Sequence, residues 1–293
     1  MSQTASDTTH GLGPIGVWSM ELRFGDAGQA REAVAELDEL GYGAVWMPGG
    51  LGGDMLGDMA RLLEAAPRIA VASGILNIWK HETAEVGAWW KSRSAADHAR
   101  LMLGVGVSHG PTIGEAYKKP LAAMSAYLDG LDAAGVPVAR RCLAALGPKM
   151  LDLSRERSAG AHPYLITPEH TAEARERLGP GVLLAPEQGV VLETDPAKAR
   201  ELARQALSTY LRLPNYRNNW LRLGFTEDEI MSSSDRLIDA LFAWGDVDAI
   251  VKRVREHQAA GADHVCLQVI HEGTRAMGFP RAVWRELADA LLK

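Results

Sequence analysis

Cysteine is nearly missing from this 293-residue chain: there are two, Cys142 and Cys266, each inside an apolar run and neither in a Cys-x-x-Cys pair. That excludes a disulfide scaffold and a thiolate metal site, and it favours a reducing, cytoplasmic setting. No stretch reaches the ~18 consecutive apolar residues of a membrane-spanning helix. The first thirteen residues, rich in Ser, Thr and Gly, have neither a positive nor an apolar segment, so no targeting signal or membrane partner is expected and 1–13 reads as a flexible tail. Basic residues are also scarce, with 31 Lys and Arg against 37 Asp and Glu for a net charge of −6. With no basic cluster interleaved by aromatics, a nucleic-acid surface is excluded. What is present is an ordinary globular composition, 47% hydrophobic, sufficient for a large core.

The apolar runs alternate with helical patterns along the whole chain. Strands are expected over 14–20, 42–47, 68–78, 101–107, 141–145, 161–166, 182–191 and 264–269, and helices over 27–40, 55–66, 83–98, 117–134, 149–158, 168–178, 196–211 and 280–292. Eight strands, each followed by a helix, give an α/β chain with the count of a (β/α)₈ TIM barrel over 14–293, a single domain with an aromatic and polar insertion at about 214–243 between strands seven and eight. An open doubly wound sheet would need a second domain to reach this count, and no linker-like shift in composition divides the chain.

In a barrel the active site lies at the C-terminal strand ends. The residues expected there are Trp18, Met20, Trp46, Met47, Gly74, Ile75, Asn77, Trp79, Ser108, His109, the run 146–149, Ile166, Thr167, Glu187, Gln188 and Gln268. They make an apolar, aromatic mouth with few charges, suited to a large planar ring and lacking the acidic cluster of a catalytic metal. Ser73–Ile78 puts a glycine where a strand can distort, followed by the amide of Asn77. Gly147-Pro148-Lys149 opens a helix whose free amides can seat a phosphate; loop punctuation and a solvated lysine explain it equally well.

Three short motifs compete. Gly106-Val107-Ser108-His109-Gly110 matches a nucleophile elbow, with Asp246 or Asp263 and His264 or His271 later in the chain, which makes a serine hydrolase with Ser108 as nucleophile an alternative. Against it, no oxyanion segment precedes the motif, and prolines follow where a helix should begin. His81-Glu82-Thr83-Ala84-Glu85 lacks the second histidine of a zinc helix, so no metal is expected. The pair Gly104-x-Gly106 lacks the third glycine and the acidic residue of a dinucleotide fingerprint.

The combination of Val71-Ala72-Ser73-Gly74-Ile75-Leu76-Asn77-Ile78-Trp79, Leu103-Gly104-Val105-Gly106-Val107-Ser108-His109-Gly110 and Leu146-Gly147-Pro148-Lys149-Met150-Leu151 resembles the luciferase-like monooxygenase superfamily. The segments Gly160-Ala161-His162-Pro163-Tyr164-Leu165 and Leu213-Pro214-Asn215-Tyr216-Arg217-Asn218-Asn219-Trp220 resemble its branch of F420-dependent oxidoreductases. The resemblance spans nearly the whole chain from Gly13, and its specificity lies in the combination. It implies a non-prolyl cis peptide at Gly74–Ile75 behind a deazaflavin ring, and contacts to cofactor from Gly74, Ile75, Asn77, Ser108, His109, Gly147, Pro148, Lys149, Met150 and Thr167. It also implies a homodimer. The chain departs from the family pattern after strand two, where Gly49 and Gly50 stand in place of an acidic residue and a catalytic histidine. His109 is then the candidate for proton transfer, with His81 and Glu187 behind it, and a histidine that only binds cofactor or solvent is an equal reading. The substrate pocket is expected from Trp18, Trp46, Met47, Trp79, Glu187 and Gln188. The activity implied is F420-dependent hydride transfer to or from a small organic molecule. Reduced FMN with oxygen, giving a monooxygenase, is the alternative that keeps the fold, and a flavin- or deazaflavin-binding barrel without turnover is a further one.

Overall fold

Short runs of Val, Ala and Leu, apolar on both faces, suit strands covered by helix outside and packed side chains inside. In the computed structural model, which describes residues 9–49 and 52–293, these become β1 Ile15–Trp18, β2 Ala44–Met47, β3 Ala70–Ser73, β4 Leu76–Asn77, β5 Leu101–Gly106, β6 Arg141–Leu143, β7 Gly160–Ala161, β8 Leu183–Leu184, β9 Glu187–Leu192, β10 Phe242–Gly245 and β11 Val265–Val269. Pairing is parallel throughout, running from β1 through β2, β3, β5, β6 and β7 to β8. β8 continues into β9 across Ala185 and Pro186; β9 pairs with β11, and β11 with β1. The sheet therefore closes. Counting β3 with β4 and β8 with β9 as single strands leaves eight in the ring, with β10 outside it.

Several boundaries differ from those expected. The strand expected over 182–191 is broken at Pro186, which has no N–H to give to a ladder. The strand expected over 161–166 is assigned only at Gly160–Ala161; the Pro163 carbonyl still accepts from the Glu187 N–H at 2.9 Å, and the chain bends at Leu165, whose φ is +53°. The segment 214–243 folds as helices Pro214–Arg222, Glu227–Met231 and Asp235–Leu241 and then runs into β10, which pairs with the end of β9. Residue 243 is therefore inside a strand and not a boundary. The helix expected over 196–211 ends at Leu207, and the one expected from 117 starts at Pro120, after a short helix Gly110–Ile113. Leu12, within the segment expected as a tail, is 1% exposed in the barrel interior; residues 1–8 lie outside those described.

The interior is built from small residues around one large one. Trp46 packs among Ala44, Ala70, Ala72, Met102, Cys142 and Cys266, stacks on the His162 ring at 4.1 Å, and donates its Nε1–H to His264 Nε2 at 3.0 Å. Both cysteines are buried and unbonded to each other. A second apolar cluster, centred on Trp220, Phe225, Leu237 and Phe242, holds the inserted helices against β9. No described helix is long and apolar enough to cross a membrane.

Candidate active site

Val71 lies opposite Leu101 but Leu76 lies opposite Val105, so the β3–β4 strand carries one extra residue against β5. This bulge is centred on Gly74 and Ile75, joined by a cis peptide bond. Two glycines let neighbouring strands close on it. A Cβ at Gly49 would overlap the Ile75 carbonyl oxygen, and one at Gly104 would overlap that of Ser73. The loop after β2 is held by the buried Arg23, which donates to the carbonyls of Pro48, Gly49 and Gly52 and pairs with Asp58 at 3.3 Å. Gly49 is thus packed against the bulge; Gly50 lies outside the described residues.

Above the bulge opens a cavity of about 650 Å³. Gly74, Ile75, Asn77, Val107, Ser108 and His109 line one side, and Leu146, Gly147, Met150, Asn219 and Arg222 line the end near the helix Pro148–Arg157. Arg222 donates to the Leu146 carbonyl at 2.9 Å and to Asn219 Oδ1. Part of the remaining wall is a run of neighbouring rings. Ring centroids are separated by 5.3 Å from Trp18 to Tyr164, 5.5 Å from Tyr164 to Tyr210, 5.2 Å from Tyr210 to Tyr216, and 5.5 Å from Tyr216 to His109.

The electrostatics of this wall follow from burial. His162 donates its Nδ1–H to the Ala185 carbonyl at 2.7 Å, which leaves Nε2 unprotonated; burial lowers its pKa to about 4. His162 Nε2 and Trp18 Nε1 both approach Gly74, and neither has a hydrogen-bond partner among the described residues. His109 Nδ1 pairs with Asn215 Oδ1 at 3.1 Å, leaving Nε2 free, and burial lowers its pKa. Glu187 is 1% exposed and accepts the Leu165 N–H on Oε2 at 3.1 Å, with Oε1 unpartnered; burial raises its pKa to about 8.

No protein-family model and no curated sequence matches this chain, but solved structures do. An F420-dependent secondary alcohol dehydrogenase in complex with an F420-acetone adduct superposes with a TM-score of 0.72 at 13% identity, over 96% of this chain and 98% of that one. The coenzyme F420-dependent tetrahydromethanopterin reductase of Methanopyrus kandleri gives 0.66 at 14% identity, over 95% and 99% of the two chains. The oxygenating constituent of 3,6-diketocamphane monooxygenase from Pseudomonas putida, in complex with FMN, gives 0.67 at 12% identity, over 94% and 98%. The fold is the (β/α)₈ barrel that these proteins share.

Within this barrel, Trp18, Gly74, Ile75, Asn77, Ser108, His109, Gly147 and Met150 come together on the cavity wall. Others fall elsewhere. Pro148 and Lys149 point to solvent, and Thr167 is buried as the cap of the helix Pro168–Leu178, accepting from the His170 N–H at 3.4 Å. Trp46, in the barrel interior, and Met47, in the core between strands and helices, are fully buried and correct the expected pocket; from this strand end it is Pro48 and Gly49 that line the cavity. Trp79 turns outward, donating to the Val107 carbonyl at 2.7 Å and packing on Tyr117. Glu187 and Gln188 sit behind the wall; Gln188 Oε1 bonds His257 Nε2 at 2.8 Å, tying β9 to the helix Val247–Ala259. The hydrolase partners are not assembled, since His264 is committed to the Gly13 carbonyl and Trp46, and Asp263 pairs with Arg175. Sequence reasoning missed His162, Tyr164, Tyr210, Asn215, Tyr216, Asn219 and Arg222. Most lie in the two segments 160–165 and 213–220 that carried the resemblance, and Asn215, Asn219 and Arg222 share a helical spacing of four and three.

Proposed function

We propose that the protein is an F420-dependent oxidoreductase that transfers a hydride between the deazaflavin and a small organic substrate. The observation that supports this best is one ring-sized cavity at the C-terminal strand ends, flat and glycine-bordered at the bulge and provided with a helix N-terminus and a guanidinium at its far end. These residues fit such a group. The Gly74 face has no side chain to obstruct a planar ring, Asn219 Nδ2 is buried and unpartnered on the wall, and the amides at Gly147 with Arg222 suit a phosphate. When bound, F420 supplies or accepts two electrons as hydride at a ring carbon.

The chain's own residues do the rest. Ile75 and Gly74 set the depth of the site. Asn215 fixes the His109 tautomer so that Nε2 carries the lone pair facing the cavity. In oxidation of an alcohol, Nε2 takes the hydroxyl proton as the carbonyl forms; in reduction the protonated ring returns it. The aromatic wall excludes water from the reacting carbon. A second reading, an FMN-dependent monooxygenase, is supported by the similar fold of the FMN complex noted above.

The test is a parallel titration of the protein with F420 and FMN, followed by ring absorbance and fluorescence. Sub-micromolar F420 binding with much weaker FMN binding is the expected outcome. The reverse preference makes oxygen chemistry the function, and binding of neither removes both readings.

A further inference from the structure

Among the described residues that line the cavity there is no carboxylate and no lysine, and one guanidinium, Arg222, which donates to the Leu146 carbonyl and to Asn219 Oδ1. The wall itself is rich in groups that could ionise. Each is held neutral near pH 7. Burial raises the tyrosine hydroxyls at 164, 210 and 216 above their ordinary range and lowers His109 and His162 below theirs. Behind them Glu187, with no cation beside it, is held as the acid by the same cause. Tyr164 donates to Gln268 Oε1 at 2.7 Å and its oxygen lies 3.3 Å from the Tyr210 hydroxyl, so these two are satisfied within the wall. The Tyr216 ring, by contrast, is buried between His109, Tyr210 and Trp220, with no hydrogen bond to its hydroxyl among the described residues.

We propose that the wall formed by Trp18, Tyr164, Tyr210, Tyr216 and His109 is the substrate subsite, and that it takes an uncharged ring compound bearing a hydroxyl or carbonyl oxygen, to which the Tyr216 hydroxyl donates. The proposal rests on the oxidoreductase reading for its reacting carbon and on the wall for its selectivity. The linked rings, tilted against their neighbours by 40° to 86°, offer face and edge contacts to a ring-sized body. A carboxylate or ammonium placed there loses its water and finds no counter-ion, so charge is rejected. The unfilled donors on this wall, the Tyr216 hydroxyl and Trp18 Nε1, select for an acceptor oxygen.

The test uses the full chain without cofactor and isothermal titration calorimetry at pH 7. The probes are cyclohexanone, cyclohexanol, methylenecyclohexane, 4-oxocyclohexanecarboxylate and 4-aminocyclohexanone. The two neutral oxygen compounds are expected to bind at least ~30-fold more tightly than either charged one, since an unpaired charge is excluded from an apolar wall. Tyr216→Ala should weaken cyclohexanone binding ~10-fold through lost stacking. Tyr216→Phe should retain methylenecyclohexane binding and lose the preference for the ketone, with thermal melts confirming that both variants fold. Equal or tighter binding of a charged analogue overturns the proposal, as does cyclohexanone binding that Tyr216→Ala leaves unchanged. Because the titration needs no cofactor, failure of F420 and FMN to bind would remove the proposed function and leave this readout intact.

Discussion

A Cβ on Gly74 would stand 2.8 Å from Trp18 Nε1 and 3.2 Å from His162 Nε2, so any side chain there pushes two buried rings into the cavity. Gly74→Val is expected to weaken cofactor binding roughly 10- to 100-fold through overpacking, read by fluorescence titration, with far-UV circular dichroism unchanged. His109 tests proton transfer. His109→Ala should lower kcat by ~100-fold and leave cofactor affinity within about twofold, the signature of a general base rather than a binding contact. Burial lowers the His109 pKa from 6.5, so the acidic limb of kcat/KM should lie below that value and disappear in the variant. Glu187 acts at the other end of the profile. As pH rises through about 8 its carboxylate forms behind Tyr164, Tyr210, Tyr216 and Cys266 with no cation to meet it, so an alkaline limb should appear there and vanish in Glu187→Gln. At this scale Gly74, Ser108 and His109 were legible because they sit in distinctive short motifs. Tyr210 and Arg222 were not, because a lone tyrosine or arginine in a helical stretch looks like surface until the chain folds it over a strand end.

The helix Pro214–Arg222 shows what an element decides. Its spacing puts Asn215, Asn219 and Arg222 on one face, and packing of Trp220 and Tyr216 beneath Leu165 and Ile230 turns that face to the cavity. Trp220 fixes the rotation by donating its Nε1–H to the Leu165 carbonyl at 3.1 Å. Arg222→Ala should therefore weaken a phosphate-bearing cofactor ~10-fold or more and reduce the salt dependence of its binding, whereas Lys149→Ala, on the exposed side of its own helix, should change neither. Calorimetric titrations at two ionic strengths compare them. If Lys149 and not Arg222 carries the effect, the anion seat is misassigned. The sequence marked the start of this element at Pro214 but not its orientation, since polar and aromatic residues alternate too evenly along 214–222 to mark a buried face.

Across the whole molecule, four buried histidines link stability to pH. His162, His170 and His264 are lowered to about 4 and His257 to about 3, each chiefly by burial. Folded values below the unfolded 6.5 mean that the native state binds fewer protons, so this stability is present above pH 6.5 and is lost as pH falls towards 4. Thermal melts should show a steep decline in Tm across that window, flattened in His264→Gln. Glu187 has the opposite sign: its folded pKa lies above the unfolded value of 4.5, so its contribution is full below 4.5 and is lost as pH rises through about 8. The barrel itself was readable from the chain, because strands buried on both faces need continuous apolar runs and the helices between them need a 3.6-residue period, and both patterns are local. The ends of strands six and seven were not, since Leu165 and Pro186 lie inside apolar runs and only pairing with neighbours shows where a ladder stops. The sequence by itself determined the alternation of strand and helix and the glycine bulge at Gly74. Only the tertiary structure decided that Trp46 fills the interior, that Gly49 closes on the bulge where no Cβ fits, and that Tyr164, Tyr210 and Tyr216 form one wall. Those outcomes depend on which distant segments come within a few ångströms, and no local pattern encodes that.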